Sequence, residues 1–184
     1  IDYAGKYADD FMDIFLMANC KLMIVGGGSG IFELASSFGR PVLLVNLVPY
    51  TFGCGGDCYT ENDIYIPKKL MYKNGNSYLS LREVADVDKR SMHNGIIYDK
   101  NGVEFVDNTS IEILEAAKEI LDRIDGKWRD TEDDIKLYQQ YELILASLNC
   151  NLKKDIYKYL WGGGAVPRRI AASYLRKNLY LLSD

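Results

Sequence analysis

Lys21-Leu22-Met23-Ile24-Val25-Gly26-Gly27-Gly28-Ser29-Gly30-Ile31-Phe32-Glu33-Leu34-Ala35-Ser36-Ser37-Phe38-Gly39-Arg40-Pro41-Val42-Leu43-Leu44-Val45 decides the fold class. The first five residues are short, apolar and closed by a turn signal, the pattern of a buried strand. Ile31 to Phe38 follows as a helix, with Gly39 set to end it. Pro41 to Val45 is a second buried strand. Strand, glycine loop, helix, strand is a βαβ unit, and that order favours parallel strands. Glycines let a backbone approach a ligand closely, and the first turn of a helix offers unpaired N–H groups to an anion. Gly27, Gly28, Ser29 and Gly30 are therefore expected to hold a phosphate-bearing ligand. The alternative is a tight strand-to-helix turn without one, because a glycine loop alone is a weak motif.

Outward from this unit the chain continues in kind. Asp9 or Asp10 caps a helix running to about Asn19, with Phe11, Ile14, Phe15 and Ala18 on one face. Between Asn46 and Asp63 the chain turns irregular at Pro49, Gly53, Gly55 and Gly56. So long a loop is uncommon unless functional, and it leaves the carboxyl end of a strand, where open α/β sheets bind ligands. Asn46 and Pro49 are expected to line a pocket there with Tyr50 and Thr51, Asn46 bonding to a sugar or base. Glu33, in the first turn after the glycine loop, can accept bonds from sugar or ribose hydroxyls, or simply complement the helix dipole. Ile64-Tyr65-Ile66 is a short strand closed by Pro67. Lys68 and Lys69 are either phosphate partners or a solvated surface pair, and Lys73-Asn74-Gly75-Asn76 is a turn. Ser80 caps a short helix. Ile96-Ile97-Tyr98 and Val103-Glu104-Phe105-Val106, joined by Asp99-Lys100-Asn101-Gly102, predict a β-hairpin. Thr109 or Ser110 starts a helix to about Ile124, with Ile113, Leu114, Ala117 and Leu121 inward and Gly126 at its end. A further helix runs from the acidic Thr131-Glu132-Asp133-Asp134 to about Leu148. Asn151 caps another, through Tyr159, and a last basic helix begins near Arg168 and Arg169. The expected organisation is an α/β core over 1–126 and an all-helical segment over 127–184 packed on it as one domain.

The 184 residues are 48% hydrophobic and 26% charged, and the formal net charge is -4. That is ordinary globular composition, with no basic field for nucleic acid. No apolar run nears the roughly 20 residues of a membrane span, and no secretory signal is visible. The chain starts at Ile1 rather than Met, so a piece of a longer protein is expected. Cys20, Cys54, Cys58 and Cys150 are too few for a disulfide scaffold. Cys54 and Cys58 lack two further zinc ligands nearby, so reduced thiols are expected rather than a metal site. His93 has no Ser or Asp arrangement around it, and the many tyrosines, among them Tyr138, Tyr141, Tyr174 and Tyr180, suit helix packing.

Asp13 to Pro49 resembles the donor-binding, C-terminal half of GT-B glycosyltransferases, through Lys21 to Gly26, Ser29-Gly30, Glu33-Leu34-Ala35 and Phe38-Gly39-Arg40-Pro41-Val42. The spacing of Ser-Gly, Ala and Gly-x-Pro is similar to that of lipopolysaccharide heptosyltransferases, although Gly28 and Glu33 stand where those enzymes carry an acid and often a histidine. A closer likeness is to a bacterial glycosyltransferase family associated with surface polysaccharides, through Asp13-Ile14-Phe15-Leu16, Asn46-Leu47-Val48-Pro49, Asp63 to Lys68 and the basic stretch Ile170 to Asn178. The resemblance implies a Rossmann-like parallel sheet and a nucleotide-diphosphate sugar as donor, with no metal or other cofactor. It implies a glycan or lipid-linked acceptor and an N-terminal GT-B domain that completes the enzyme and normally supplies the catalytic base. It further implies work in the cytoplasm, at the inner face of the membrane. The piece by itself is expected to bind donor and turn nothing over. Two other classes stay open. A dinucleotide-binding oxidoreductase domain would want Gly-x-Gly-x-x-Gly, and Gly26 to Ile31 lacks the final glycine. A non-catalytic α/β interaction domain would use the loop only as a turn.

Overall fold

The structure, a computed structural model, describes residues 2–26, 31–48, 60–75, 77–91, 95–149 and 169–183. Strand β1 (Met23–Gly26), helix α2 (Ile31–Ser37) and strand β2 (Val42–Leu47) form the expected βαβ unit. β1 and β2 run parallel, with Met23 beside Val42 and Gly26 beside Val45. β3 (Ile64–Pro67) and a two-residue strand β6 (Arg169–Ile170) extend the same parallel sheet in the order β1-β2-β3-β6. Val42, Leu43, Ile64, Tyr65 and Ile66 are fully buried. Parallel strands are covered on both faces, which is why β2 and β3 read as unbroken apolar runs. β1, at the edge, alternates half-buried with exposed.

A second, antiparallel sheet pairs β4 (Lys69–Tyr72) with β5 (Val103–Val106), Lys69 beside Val106. This corrects the expected hairpin. Gly95–Lys100 is a helix, α4, so Ile96 to Tyr98 never pair with β5. Gly102 has φ +67° and its N–H bonds to the Asp99 carbonyl at 2.9 Å. A left-handed glycine ends a helix as readily as it turns a hairpin, and here the buried Tyr98 ring comes back against Phe105, centroids 4.6 Å apart.

Helix boundaries follow the sequence closely. Asp9 caps α1 (Asp10–Asn19), accepting from the Met12 N–H at 3.0 Å. Ser80 and Glu83 cap α3 (Leu81–Ser91) reciprocally. Thr109 and Glu112 form a capping box on α5 (Ser110–Ile124), and Gly126 stands just past its end with φ +69°. Thr131 and Asp134 do the same on α6 (Glu132–Asn149). Each reciprocal pair satisfies two amides that the first turn leaves unpaired.

Two expectations fail. The inward face of α5 carries Glu112, Ala116, Glu119 and Ile120. Ile113 and Ala117 pack partly on the core, Leu121 is half-buried, and Leu114 is exposed. The C-terminal segment is also not all helix. Arg169 lies in β6 against Ile64, and α7 (Ala172–Lys177) starts only after it, followed by a 3₁₀ turn (Leu179–Leu182). The sheet thus takes one strand from beyond residue 126. No helix among the described residues is long and apolar enough to cross a membrane.

Glu119 shows why α5 faces as it does. Its carboxylate is fully buried and accepts from Arg123 Nε and Nη2 at 3.1 and 2.9 Å. It also accepts from the Ala172 and Ser173 backbone amides at 3.1 and 2.8 Å. The capping residue of α7, Ala171, offers no side-chain bond. Glu119 therefore caps α7 from a neighbouring helix. Glu119→Ala leaves Arg123 with Asp130 alone and two α7 amides unpaired, and is expected to lower unfolding free energy by about 3 kcal/mol. Leu114→Ala should change it by less than about 0.5 kcal/mol. Urea midpoints of the two variants check the orientation of α5.

Candidate functional site at the carboxyl edge of the sheet

β1 ends at Gly26 beside Val45, so the connection from residue 26 to 31 leaves the sheet next to Asn46. Gly27, Gly28, Ser29, Gly30 and Pro49 lie outside the described residues, as do Tyr50, Thr51, Cys54, Cys58, His93, Cys150, Arg168 and the helix expected over Asn151 to Tyr159. A Cβ built on Gly26 meets nothing within 4 Å among the described residues. Glu33 stands in the first turn of α2, exposed, and its carboxylate makes no bond among the described residues.

Asn46 has φ +54°, the left-handed conformation that asparagine tolerates better than most residues. It sits in β2 where pairing with β3 shifts register between Leu44 and Leu47. Its N–H donates to Asn108 Oδ1 and its Oδ1 accepts from the Asn108 N–H, both at 2.7 Å. Asn108 Nδ2 donates to the Pro67 carbonyl at 2.7 Å, and the Tyr174 hydroxyl reaches the same carbonyl at 3.1 Å. Asn46 is thus first a brace between β2 and the residue before the α5 cap. Its side-chain NH₂ makes no bond among the described residues.

The lysines expected beside it are employed. Lys68 pairs with Asp107 at 2.6 Å. Lys69 is buried, contrary to a solvated surface pair, with Nζ 3.1 Å from each oxygen of Glu112 and over the Tyr78 ring. Glu112 also takes the Thr109 N–H at 2.7 Å and the Thr109 hydroxyl at 2.9 Å. Burial pushes the Glu112 pKa up, but the Thr109 amide and the Lys69 ammonium more than reverse this and hold it below the ordinary value. The N-terminus of α5, which shares this edge, therefore already carries its own anion.

Arg169, expected near the start of a basic helix, is also paired. Arg169 Nη1 lies 2.8 Å from Asp130 Oδ2, its guanidinium 4.4 Å from the Tyr138 ring centroid. Burial, and then Glu142, push the Tyr138 phenol up to about 12, so a neutral ring faces Arg169. Burial raises the Asp130 pKa, but the Trp128 indole N–H, Arg123 and Arg169 lower it overall. A cavity of about 270 Å³ between α5 and α7, lined by Glu115, Lys118, Trp128 and Arg176, belongs to different residues. Arg176 at its wall pairs with Asp134 at 2.8 Å, so the cavity reads as a helix seam.

Sequence reasoning named Glu33 and Asn46 as candidates and did not single out Asn108. The signal available was Asn-Thr-x-x-Glu: a side chain just ahead of a capping box is held rigidly and can brace a neighbour. Comparison with known proteins returns nothing: no family model, no curated protein and no solved structure matches the chain.

Asn46→Gly keeps the left-handed backbone and loses only the bond that Oδ1 accepts from the Asn108 N–H, whereas Asn46→Ala loses that bond and also disfavours the left-handed backbone. Denaturation should rank alanine below glycine by about 1 kcal/mol. A second test is pH. The folded-state pKa values of Glu112 and Asp130 are lowered, so their stabilisation is complete above the unfolded values and is lost as pH falls through them, from about pH 5 downward. Glu112→Gln should flatten that acid slope in thermal melts. An unchanged slope contradicts the Lys69–Glu112 assignment.

Proposed function

We propose that this chain is the nucleotide-sugar-binding half of a GT-B glycosyltransferase that builds a bacterial surface glycan, acting on a glycan or lipid-linked acceptor from the cytoplasmic side. One observation carries the reading. β1 ends at Gly26 beside Val45, one residue before the left-handed Asn46, and the next described element is α2 with Glu33 in its first turn, which supports a site at this carboxyl edge. That edge is where open parallel sheets take nucleotide ligands, and the motifs from Asp13 to Pro49 resemble the donor half of this enzyme class.

The chemistry follows from charge. Sugar transfer leaves a nucleoside diphosphate, and negative charge grows on it as the glycosidic bond breaks. Backbone amides of Gly27, Gly28, Ser29 and Gly30 would meet that charge. The Glu33 carboxylate, exposed in the first turn of α2, would accept from ribose or sugar hydroxyls, and the Asn46 NH₂ would donate to the sugar or base. The catalytic base belongs to the other half of the enzyme, so this piece binds donor without turning it over.

Calorimetry with a panel of UDP-, GDP- and ADP-sugars tests the reading. One nucleotide should give heat, and Glu33→Ala should weaken its binding about tenfold, or about 1.4 kcal/mol. Silence across the whole panel, with the wild-type chain folded by circular dichroism, overturns it.

A further inference from the structure

The tripeptide Lys-Asn-Gly occurs at Lys73-Asn74-Gly75 and again at Lys100-Asn101-Gly102. Asn-Gly is the pair in which a backbone amide nitrogen most readily reaches the preceding side-chain amide, because glycine has no Cβ to block the approach. A third Asn-Gly starts at Asn94, which lies outside the described residues. The first two meet in space. The Lys73 N–H donates to the Gly102 carbonyl at 2.7 Å, so both turns sit at one end of the β4–β5 sheet. They also share a local form. Gly75 has φ +72° and donates its N–H to the Tyr72 carbonyl at 2.8 Å. Gly102 has φ +67° and donates its N–H to the Asp99 carbonyl at 2.9 Å. With sequence and turn geometry matched, the two asparagines differ in what each turn is fastened to.

Gly102 is held on both sides. Before it, the Asn101 N–H donates to the carbonyl of Tyr98, a residue buried against Phe105. After it, Val103 is buried and pairs with Tyr72. Asn74 and Gly75 are exposed, in the turn that returns the chain to the Met71–Tyr78 bridge. Freeing the Gly75 amide breaks one backbone bond and uncovers no core residue. Freeing the Gly102 amide disturbs Tyr98 and Val103. Local opening is cheapest where the fewest apolar contacts break. We propose that Asn74 is a site of spontaneous deamidation in the folded protein, and that the fold protects Asn101 from the same reaction. The Gly75 backbone nitrogen gives its proton to solvent and attacks Asn74 Cγ. A C–N bond forms, and the side-chain nitrogen takes up a proton and leaves as ammonia. The product is a five-membered succinimide. Water then opens either of its two C–N bonds, leaving aspartate or an isoaspartyl linkage at position 74. One water enters, one ammonia leaves, and nothing is oxidised or reduced. None of these residues belongs to the carboxyl edge, so the inference is independent of the donor-binding reading.

Peptide mapping by mass spectrometry, with isoaspartyl detection, tests this on the 184-residue chain aged at mildly alkaline pH well below its melting temperature. The peptide holding Asn74 should accumulate aspartyl and isoaspartyl products. The peptide holding Asn101 should convert at least about tenfold more slowly, because its turn opens less often. A parallel sample in denaturing urea supplies the reference. There both tripeptides lie in open chain, and the two rates should agree within about twofold. Asn74 that stays intact in the folded chain overturns the proposal, as does Asn101 that keeps pace with it. A tenfold gap that persists in urea overturns it too, since the difference then belongs to the neighbouring sequence rather than to the fold.

Discussion

Two carboxylates on one face of α5 hold the two halves of this structure to each other. Glu112 and Glu119 lie seven residues apart, about two helical turns, so both point into the protein. Glu112 ties β4 through Lys69, its own helix start through Thr109, and the end of α7 through Asn178 Nδ2 at 3.4 Å. Glu119 ties the start of α7 and, through Arg123, the Asp130–Arg169 pair that anchors β6. Buried ion pairs return little net free energy against apolar replacements of the same volume, because desolvation offsets attraction. Their effect is on register. Once α7 is capped by Glu119 rather than by its own residue, it must run antiparallel to α5 at one offset, and β6 arrives beside β3 in the only position that satisfies Asp130.

That constraint reaches the carboxyl edge through a short chain of bonds. The capping box fixes Thr109, Thr109 fixes Asn108, and Asn108 fixes both the Pro67 carbonyl and the left-handed Asn46. One side of the candidate site is thus built on helix starts and strand ends rather than on loop. Left-handed Asn46 costs free energy that the reciprocal bonds offset. Strain kept at the end of β2 is thus held by the brace to Asn108.

The legible parts of the sequence were those set by local chemistry. β1, α2 and β2 followed from apolar runs around glycines, and the helix starts at Asp10, Leu81, Ser110 and Glu132 followed from capping residues one or three positions away. What was not legible depends on partners far along the chain. Gly102 supports two local structures, and only the pairing of β5 with β4 selects between them. The α5 face was misjudged because glutamate counts as polar in an amphipathic pattern, while Lys69, Arg123 and the α7 amides make Glu112 and Glu119 core residues. A two-residue strand such as β6 has no periodicity to read, and Arg169 looks like a basic turn until Asp130 and Tyr138 stand beside it.

The same asymmetry explains why the sheet is weakest where the candidate site begins. β2 and β3 are clamped by neighbours on both edges and covered on both faces, whereas β1 has β2 on one side and exposes Ile24 and Gly26. Local opening is cheapest where few apolar contacts must be broken. The strand that launches the glycine connection is therefore held mainly by its four-residue register with β2. α1 packs on α2, and none of its residues is fully buried. Order at the carboxyl edge therefore runs through β1, because a strand end can be no more rigid than the strand behind it.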